Sequence, residues 1–516
     1  MASRSTGKQL IISVLFSFFA VALNYLISLV LTPMITETIG TEAYGFVSLA
    51  KTFADYALIF TIALNSFSAR YISIEYHQGN MKQANTYFNS VFAADLLLAI
   101  GIFMLAGVII ARLDAFLTIP SHLLEDVKKL FLLDVLNFLI LSCSTVFQTA
   151  TTIRNRLEMG SLARVISYLA EAAFLLIAFS MLTPHVCYVG IGLIISSAVI
   201  FLMNIGLTRR YTPELRLQKG CFSFEAVRQL LSAGIWSSMN SLGNTLNTGL
   251  DLLITNMLLS PFTAGQLAIV KTFSTIFSTL FQLVSTAFQP MQLKYYASGN
   301  KDALISSFKL GIKLNGMVSN IAFAGLAVFG TAYYQLWTPN QDISLLQGIT
   351  IVTIIGCVIE GAVYPLYYGY NLTVKVKIPC FITILSGLLN VGSMYVLIQY
   401  CGMGIYAVVL TTTILSWLVN FVFNPLYVSH CLQVKKTAFY PTLIRHTLSS
   451  ILLVAVFSLI GRIYYPSSWL GLIAIALLCS VIGAFVHAMV VFDHAEWVQI
   501  KKIVKNFLFF RNKRSS

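Results

Sequence analysis

The chain has 516 residues, of which 57% are hydrophobic and 10% charged, and its mean hydropathy is +0.81. Soluble domains contain about 25% charged residues, so this composition excludes a water-soluble protein. In a soluble protein the formal net charge of +14 would suggest a nucleic-acid partner. In a membrane protein it indicates cytoplasmic loops rich in Lys and Arg, and no nucleic-acid partner is expected.

Apolar stretches recur along the whole chain between short polar segments, and each is long enough to span a bilayer as a helix. The first follows Arg4 and Lys8 and is too long for the core of a signal peptide, so it is predicted to remain in the membrane. The sequence therefore predicts an all-α integral membrane protein with about fourteen transmembrane helices. These are predicted at residues 10–32, 43–66, 90–111, 130–151, 164–183, 188–207, 231–257, 264–289, 309–332, 346–370, 378–398, 403–428, 446–464 and 469–492.

The basic residues set the predicted orientation. Two of the 33 Lys and Arg residues, Lys51 and Lys271, lie inside helices. If the N-terminus is cytoplasmic, nearly all the others fall on the inner side, as the positive-inside rule requires, and both termini are predicted to be cytoplasmic. The outer loops and the helix ends beside them hold Arg112, Lys128, Lys129 and Arg462.

The sequence repeats itself at a distance of 220 residues. Lys-Thr-Phe occurs at 51–53 and 271–273, and Tyr-x-x-Gly-Asn at 76–80 and 296–300. An even number of helices separates the copies, so both halves face the same way and are predicted to be related by a pseudo-twofold axis along the membrane normal. The predicted organisation is a six-helix lobe at 1–208, a cytoplasmic linker at 209–230, a second six-helix lobe at 231–430, two additional helices at 431–492 and a basic amphipathic cytoplasmic tail at 493–516. Anionic lipid is the expected partner of this tail.

The repeated lysines are the first candidates for a substrate site. A charge at bilayer depth costs at least about 2.5–3.5 kcal/mol and is expected to face a cavity or a partner. Lys51 and Lys271 occupy matching positions in helices 2 and 8 and together predict a site for an anionic phosphate group. The alternative is internal pairing, with Asp55 for Lys51 and with Asp251 for Lys271.

Polar residues at helical spacing indicate which helices line a hydrated lumen. Helix 7 carries Asn240, Asn244, Asn247 and Asp251, which are expected on one face. Similar stripes include Gln282 on helix 8 and Asn24 on helix 1. The alternative is that these side chains join helices by hydrogen bonds.

Helix 10 offers an acid and aromatic side chains on one face. Glu360, Asp55 and Asp251 are each candidates to bind a coupling cation or proton, and the alternative for each is a paired structural role as a charge partner. Tyr364 and Tyr367 are predicted to stack on sugar rings. No metal site, nucleophile elbow or phosphate-binding Gly loop is found. The chain is therefore expected to be no enzyme and to carry no cofactor, apart from possible coupling to H⁺ or Na⁺.

The repeated segments, together with residues 29–45 (LVLTPMITETIGTEAYG), resemble the polysaccharide transporters and oligosaccharide-lipid flippases of the multidrug/oligosaccharidyl-lipid/polysaccharide exporter superfamily. This resemblance implies the fold of multidrug and toxin extruders with two extra helices. It also implies a bacterial cytoplasmic membrane protein that moves an undecaprenyl-diphosphate-linked oligosaccharide to the outer leaflet by alternating access, in contact with membrane lipids and polysaccharide assembly proteins. In related lipid II flippases cationic residues on helices 1, 2 and 8 line the cleft. Lys51 and Lys271 match two of them, while helix 1 offers Asn24 and no cation.

Two other functions remain open from the sequence. A cation-coupled multidrug efflux antiporter of the same superfamily would need a net acidic cavity. A membrane glycosyltransferase or polysaccharide polymerase would need a sizeable outer loop with catalytic residues, and no predicted loop is long enough.

Overall fold

The computed structural model describes residues 2–218, 220–493 and 496. It is 86% helical, and no strand occurs in these residues. The first seven helices are α1 (Ala2–Thr38), α2 (Thr41–His77), α3 (Met81–Ala111), α4 (Leu124–Ile153), α5 (Leu157–Met181), α6 (Cys187–Tyr211) and α7 (Phe224–Asn244, continued by Asp251–Leu258). The second seven are α8 (Pro261–Ala297), α9 (Lys301–Trp337), α10 (Ile343–Leu372), α11 (Lys377–Gln399), α12 (Ile405–Cys431), α13 (Tyr440–Ile463) and α14 (Trp469–Val491). The predicted all-α membrane fold is confirmed.

Thirteen of these helices, within the described residues, are long and apolar enough to cross a membrane, and α7 is the exception. Its polar residues lower its hydropathy, and a π turn at Thr245–Gly249 interrupts it. The last residues of the predicted linker, 224–230, form the first turns of α7. Val227 and Leu230 are buried there, whereas Phe224 is 73% exposed.

The internal repeat is visible in the local structure. Helices α2 and α8 each have 37 residues, and both their first and last residues are 220 positions apart. The Gly-Asn pair after each helix makes the same turn: Gly79 and Gly299 have φ values of +78° and +69°. Asn80 and Asn300 then cap the next helix by accepting a hydrogen bond from a backbone N–H. The repeated motif is therefore a helix-ending turn followed by an N-cap.

A repeated glycine marks a close approach between helix backbones. A Cβ atom on Gly45 would lie 2.8 Å from the backbone nitrogen of Gly265, and one on Gly265 would overlap the carbonyl oxygen of Thr41. The starts of α2 and α8 therefore touch through their main chains, at residues that are 220 positions apart.

Contacts divide the chain into two compact units. Residues 1–269 and 377–411 form the first unit, and residues 270–376 and 412–516 form the second. These boundaries follow contacts and differ from the predicted lobes, whose division by symmetry stays a prediction. Of the predicted tail at 493–516, only Asp493 and Glu496 lie within the described residues.

In the first unit the predicted linker is fixed to α3. Asn85 donates to the carbonyl oxygen of Glu214 (3.0 Å) and accepts from the backbone N–H of Arg216 (2.9 Å). Asn89 donates to the carbonyl oxygen of Arg216 (2.9 Å) and accepts from the backbone N–H of Gln218 (2.8 Å). The two amides bind the extended chain as a neighbouring strand would, so this part of the linker is held in place.

In the second unit α13 and α14 pack on α9 through buried polar groups. His487 Nε2 lies 3.1 Å from the carbonyl oxygen of Lys313, and His487 Nδ1 lies 3.0 Å from Ser449 Oγ. Lys313 is 2% exposed, and its ammonium lies 3.1 Å from Asp493 and 2.6 Å from Glu496. The additional helices are therefore joined to α9 by hydrogen bonds and ion pairs as well as by apolar packing.

Candidate functional site

Lys51 lies on α2, ten residues after Thr41, which at about 1.5 Å per residue places it roughly 15 Å along the helix. Its side chain is exposed. None of the ion pairs within 4.0 Å found in the described residues includes it. Its charge nevertheless acts on the carboxylates of Asp55, Asp134 and Glu171. The structure thus brings Lys51 and Asp55 into one electrostatic cluster, as predicted, and adds two acids from α4 and α5.

The acids of this cluster differ in their surroundings. Asp134 is 2% exposed; it is hydrogen-bonded to Asn137, and its Oδ2 has no hydrogen-bond partner among the described residues. Glu171 is hydrogen-bonded to Ser196 of α6. Three carboxyl groups therefore lie within electrostatic range of one ammonium, so the net charge of this cluster is negative whenever more than one of them is ionised.

The predicted single polar face of α7 is wrong. Asn240, Asn244 and Thr248 are exposed, whereas Asn247, which lies within the π turn, is half-buried. Asn247 points instead to α11, where it donates to the carbonyl oxygen of Thr383 (2.7 Å) and accepts from Ser386 Oγ (2.8 Å). Its amide is used for helix packing.

Asp251 and Asp55 both act electrostatically on Tyr56, and the other predicted residues lie on α1 and α8. Asn24 is half-buried on α1, and Asp251 is buried at the start of the second part of α7. Lys271 is half-buried on α8, ten residues after Pro261, and Gln282 is exposed on the same helix. Lys271 thus repeats the position of Lys51 within its helix.

In the second unit Glu360 stands beside the predicted tyrosines and acts electrostatically on both. The rings of Tyr364 and Tyr367 are 5.0 Å apart, and the Tyr367 hydroxyl donates to Asn420 Oδ1 (2.6 Å). Tyr370 continues the row at 6.2 Å from Tyr367. The structure therefore brings these predicted residues together and adds an aromatic neighbour.

The aromatic row extends onto α12. The rings of Tyr370 and Tyr427 are 6.5 Å apart, and Phe423 stacks on Tyr427 at 5.3 Å. We call Tyr364, Tyr367, Tyr370, Tyr427 and Phe423 the aromatic row. Sequence reasoning missed the last three, since Tyr427 and Phe423 are more than 50 residues from α10 and carry no local signal.

Two buried ionisable residues were also missed. Asp95 on α3 is fully buried and hydrogen-bonded to Asn65 and Thr145. Lys313 on α9 belongs to the inner side by the orientation rule, yet it is buried against Asp493 and Glu496. The partners of both residues are distant in the sequence, so they become visible only in the fold.

Lys51 lines neither of two cavities found among the described residues of the first unit. An apolar groove of about 480 Å³ runs along α7 and is lined by Phe224, Val227, Arg228, Leu231, Ser232 and Ile235. A polar cavity of about 200 Å³ is lined by Gln148, Thr151, Thr152, Leu157, Gly160, Ser161, Arg164, Ile200 and Asn204.

Comparison with known proteins shows which family and which protein the chain is similar to. The family model described as "Polysaccharide biosynthesis protein" matches residues 11–295. The uncharacterized membrane protein EpsK of Bacillus subtilis (strain 168) is 27% identical over 455 residues, which cover 88% of this chain and 90% of EpsK.

Solved structures share the fold at low sequence identity. A multidrug resistance MATE family transporter in its inward-facing conformation has a TM-score of 0.69 at 13% identity, covering 81% of this chain and 99% of its own. The lipid II flippase MurJ, in an inward closed conformation, has a TM-score of 0.68 at 16% identity, covering 93% of this chain and 99% of its own. Both resemblances concern the fold.

Proposed function

Because the chain belongs to the polysaccharide biosynthesis protein family, within the superfamily that also contains the MATE transporters and MurJ, we propose that it is a flippase for lipid-linked oligosaccharides. It would move an undecaprenyl-diphosphate-linked oligosaccharide from the cytoplasmic to the outer leaflet of the bacterial cytoplasmic membrane, for surface polysaccharide biosynthesis. In this proposal both termini are cytoplasmic, the basic tail contacts anionic lipid, and polysaccharide assembly proteins receive the product. No chemical step is assigned to the chain.

The observation that carries the proposal is the repeated lysine. Lys51 and Lys271 lie at the same position of equally long helices that are apolar enough to cross a membrane, and the Lys51 side chain is exposed. A lysine in a membrane-spanning helix is expensive unless it serves a ligand or partner, and a compact ammonium is suited to a phosphate. We infer that the two ammonium groups hold the diphosphate during alternating access.

The aromatic row supports the proposal that the substrate carries sugar rings. Tyr364 and Tyr367 are half-buried and adjacent, with Glu360 beside them. Flat aromatic faces with hydroxyl groups at their edges suit sugar rings, which present both C–H faces and hydroxyl groups. Of the other predicted contacts, Asn24, Asn244 and Gln282 remain in the proposal, whereas Asn247 is assigned to packing because α11 uses its amide.

One observation favours a second candidate function. Asp55, Asp134 and Glu171 outnumber Lys51 in the first unit. An acidic membrane cluster would suit a cationic drug, as in a cation-coupled multidrug antiporter. For the flippase proposal the same acids must be neutralised when the diphosphate binds, so H⁺ or Na⁺ would enter with the substrate.

The test in cells is accumulation of lipid-linked oligosaccharide in strains that carry Lys51→Ala or Lys271→Ala. The loss of one charged hydrogen bond to phosphate, worth about 1.5–3 kcal/mol, is expected to reduce export about tenfold to a hundredfold. Lys51→Arg should retain more export than Lys51→Ala. Lys128→Ala, in an exposed ion pair with Asp114, is the matched control. Unimpaired export in both alanine variants would remove the lysines from the mechanism.

Binding to the purified protein separates the two candidates. Undecaprenyl diphosphate should bind the parent protein and bind Lys51→Ala more weakly, while an organic cation such as rhodamine should not compete. If the organic cation binds and the diphosphate lipid does not, the antiporter is the correct function.

A further inference from the structure

Asp95 is a buried acid that the proposed function does not use. It lies on α3, 14 residues after Met81, and is 0% exposed. Asn65 of α2 donates to its Oδ1 (2.9 Å), and Thr145, at the end of the regular part of α4, lies 3.2 Å from its Oδ2. The three side chains therefore join three helices of the first unit.

The hydrogen bonds of this cluster leave one donor too few for an ionised carboxylate. The single hydroxyl proton of Thr145 faces three acceptors: the carbonyl oxygen of Ser142 at 2.7 Å, Asp95 Oδ2 at 3.2 Å and Asn65 Oδ1 at 3.3 Å. The shortest bond goes to Ser142. With Asp95 ionised, its Oδ2 then lacks a donor, which is unfavourable for a buried charged atom.

A proton on Asp95 completes the bonds of its carboxyl group. Oδ2–H donates to Thr145 Oγ1, the Thr145 hydroxyl donates to Ser142, and Asn65 Nδ2 still donates to Oδ1. No charged residue of the helices packed against Asp95, within the part of the chain that the structure describes, acts on it. The titratable neighbour is the thiol of Cys143 on α4. The geometry thus fits a neutral acid in an apolar environment.

We propose that Asp95, Asn65 and Thr145 form a proton-binding site whose occupancy changes during the transport cycle. In the state described here Oδ2 holds a proton delivered by hydronium, which leaves as water. When the site opens to water the O–H bond breaks, the proton leaves as hydronium and the carboxylate is hydrated. Asn65 and Lys51 are on the same helix, 14 residues and roughly 21 Å apart, so α2 links this site to the proposed phosphate contact.

Infrared spectroscopy of the reconstituted protein tests the site without any substrate. The parent protein should show a carboxylic-acid carbonyl band at neutral pH, and Asp95→Asn should lack this component. The amide of Asp95→Asn can donate to Thr145 as the acid does, so this variant should fold. Asp114→Asn, which removes an exposed loop carboxylate paired with Lys128, should leave the band unchanged.

A second variant keeps the test decisive if Asp95→Asn is unstable. Thr145→Val removes the acceptor of the acid proton, so the same band should move to higher frequency. An unchanged spectrum in Asp95→Asn, or in Thr145→Val, would overturn the proposal. So would a band that appears only when Na⁺ is removed, since the site would then hold sodium.

The link to transport has its own measurement. A protonophore should lower polysaccharide export in cells with the parent protein, whereas the residual export with Asp95→Asn should not respond. Equal sensitivity of the two strains to the protonophore would show that the proton on Asp95 is not coupled to export. A parent strain with no export would instead contradict the proposed function and leave the infrared result standing.

Discussion

Glycine at positions 45 and 265 is required by the distance between two helix backbones. A methyl group at either position would meet main-chain atoms of the other helix, which cannot move as a flexible side chain can. Gly101, on α3, has no atom within 4 Å of the position where its Cβ would be. These residues allow the same substitution to be compared in a closed and an open environment.

We predict that Gly45→Ala and Gly265→Ala destabilise the protein by about 1–3 kcal/mol, the range of overpacking changes. Gly265→Ala should be the more damaging, because its Cβ would overlap the carbonyl oxygen of Thr41. Thermal unfolding of the detergent-solubilised protein measures the effect. Gly101→Ala should be neutral or slightly stabilising, since alanine favours the helix. Equal stability of all three variants would contradict the close approach.

Glu214 gives a prediction about pH. Its own backbone N–H, the Tyr76 hydroxyl and the charge of Arg154 lower the pKa of its carboxyl group below the usual 4.5. The stabilisation is therefore present above pH 4.5 and is lost as the pH falls through the lowered pKa. Glu214→Gln should lower the unfolding temperature at neutral pH, and its difference from the parent should shrink in acid. A constant difference would exclude this carboxylate as the titrating group.

At the scale of elements, the linker depends on side chains of α3. Asn89 is buried and makes two hydrogen bonds to the linker backbone, with Arg216 and Gln218. We predict that Asn89→Ala leaves these backbone groups unpaired at a cost of about 1–3 kcal/mol each, so that the linker detaches more often. Trypsin should then cleave at Arg216 faster than in the parent. Thr86→Ala, on the same helix, is the control, and an unchanged cleavage rate in Asn89→Ala would contradict the assignment.

The elements also show where sequence patterns suffice. The lengths of the apolar segments were enough to predict fourteen helices, thirteen of which, within the described residues, are long and apolar enough to cross a membrane. The repeated Gly-Asn pair coincides with the turn before α3 and before α9. The prediction of a single polar face on α7 is wrong because helical periodicity assumes regular α-helical turns. The π turn at Thr245–Gly249 shifts Asn247 away from Asn244, and the residues of this turn do not predict it from sequence.

At the scale of the whole molecule, the sequence predicted which charged residues of the membrane helices matter better than it predicted their partners. The repeat singled out Lys51 and Lys271, since a matching pair of lysines in apolar helices is improbable by chance. The electrostatic partners of Lys51 were not predictable, because Asp134 and Glu171 lie on other helices, 83 and 120 residues further along the chain. Electrostatic neighbours depend on helix packing, which local patterns do not encode.

This acidic surrounding leads to a prediction about affinity. Asp55→Asn removes a charge next to Lys51 and keeps the shape of the side chain. If the diphosphate binds at Lys51, the variant should bind undecaprenyl diphosphate more tightly, by about 1 kcal/mol or roughly fivefold at neutral pH. The gain should disappear in Asp55→Asn combined with Lys51→Ala. Weaker binding in the single variant would indicate that Asp55 contacts the substrate or its coupling ion directly.

The contact between Gly45 and Gly265 has a consequence for how the chain can vary. Each glycine sets the closest approach that the other helix can make, and a larger residue at either position would meet main-chain atoms. The two positions are therefore constrained together, and a larger side chain at one of them can be accommodated only if the starts of α2 and α8 move apart.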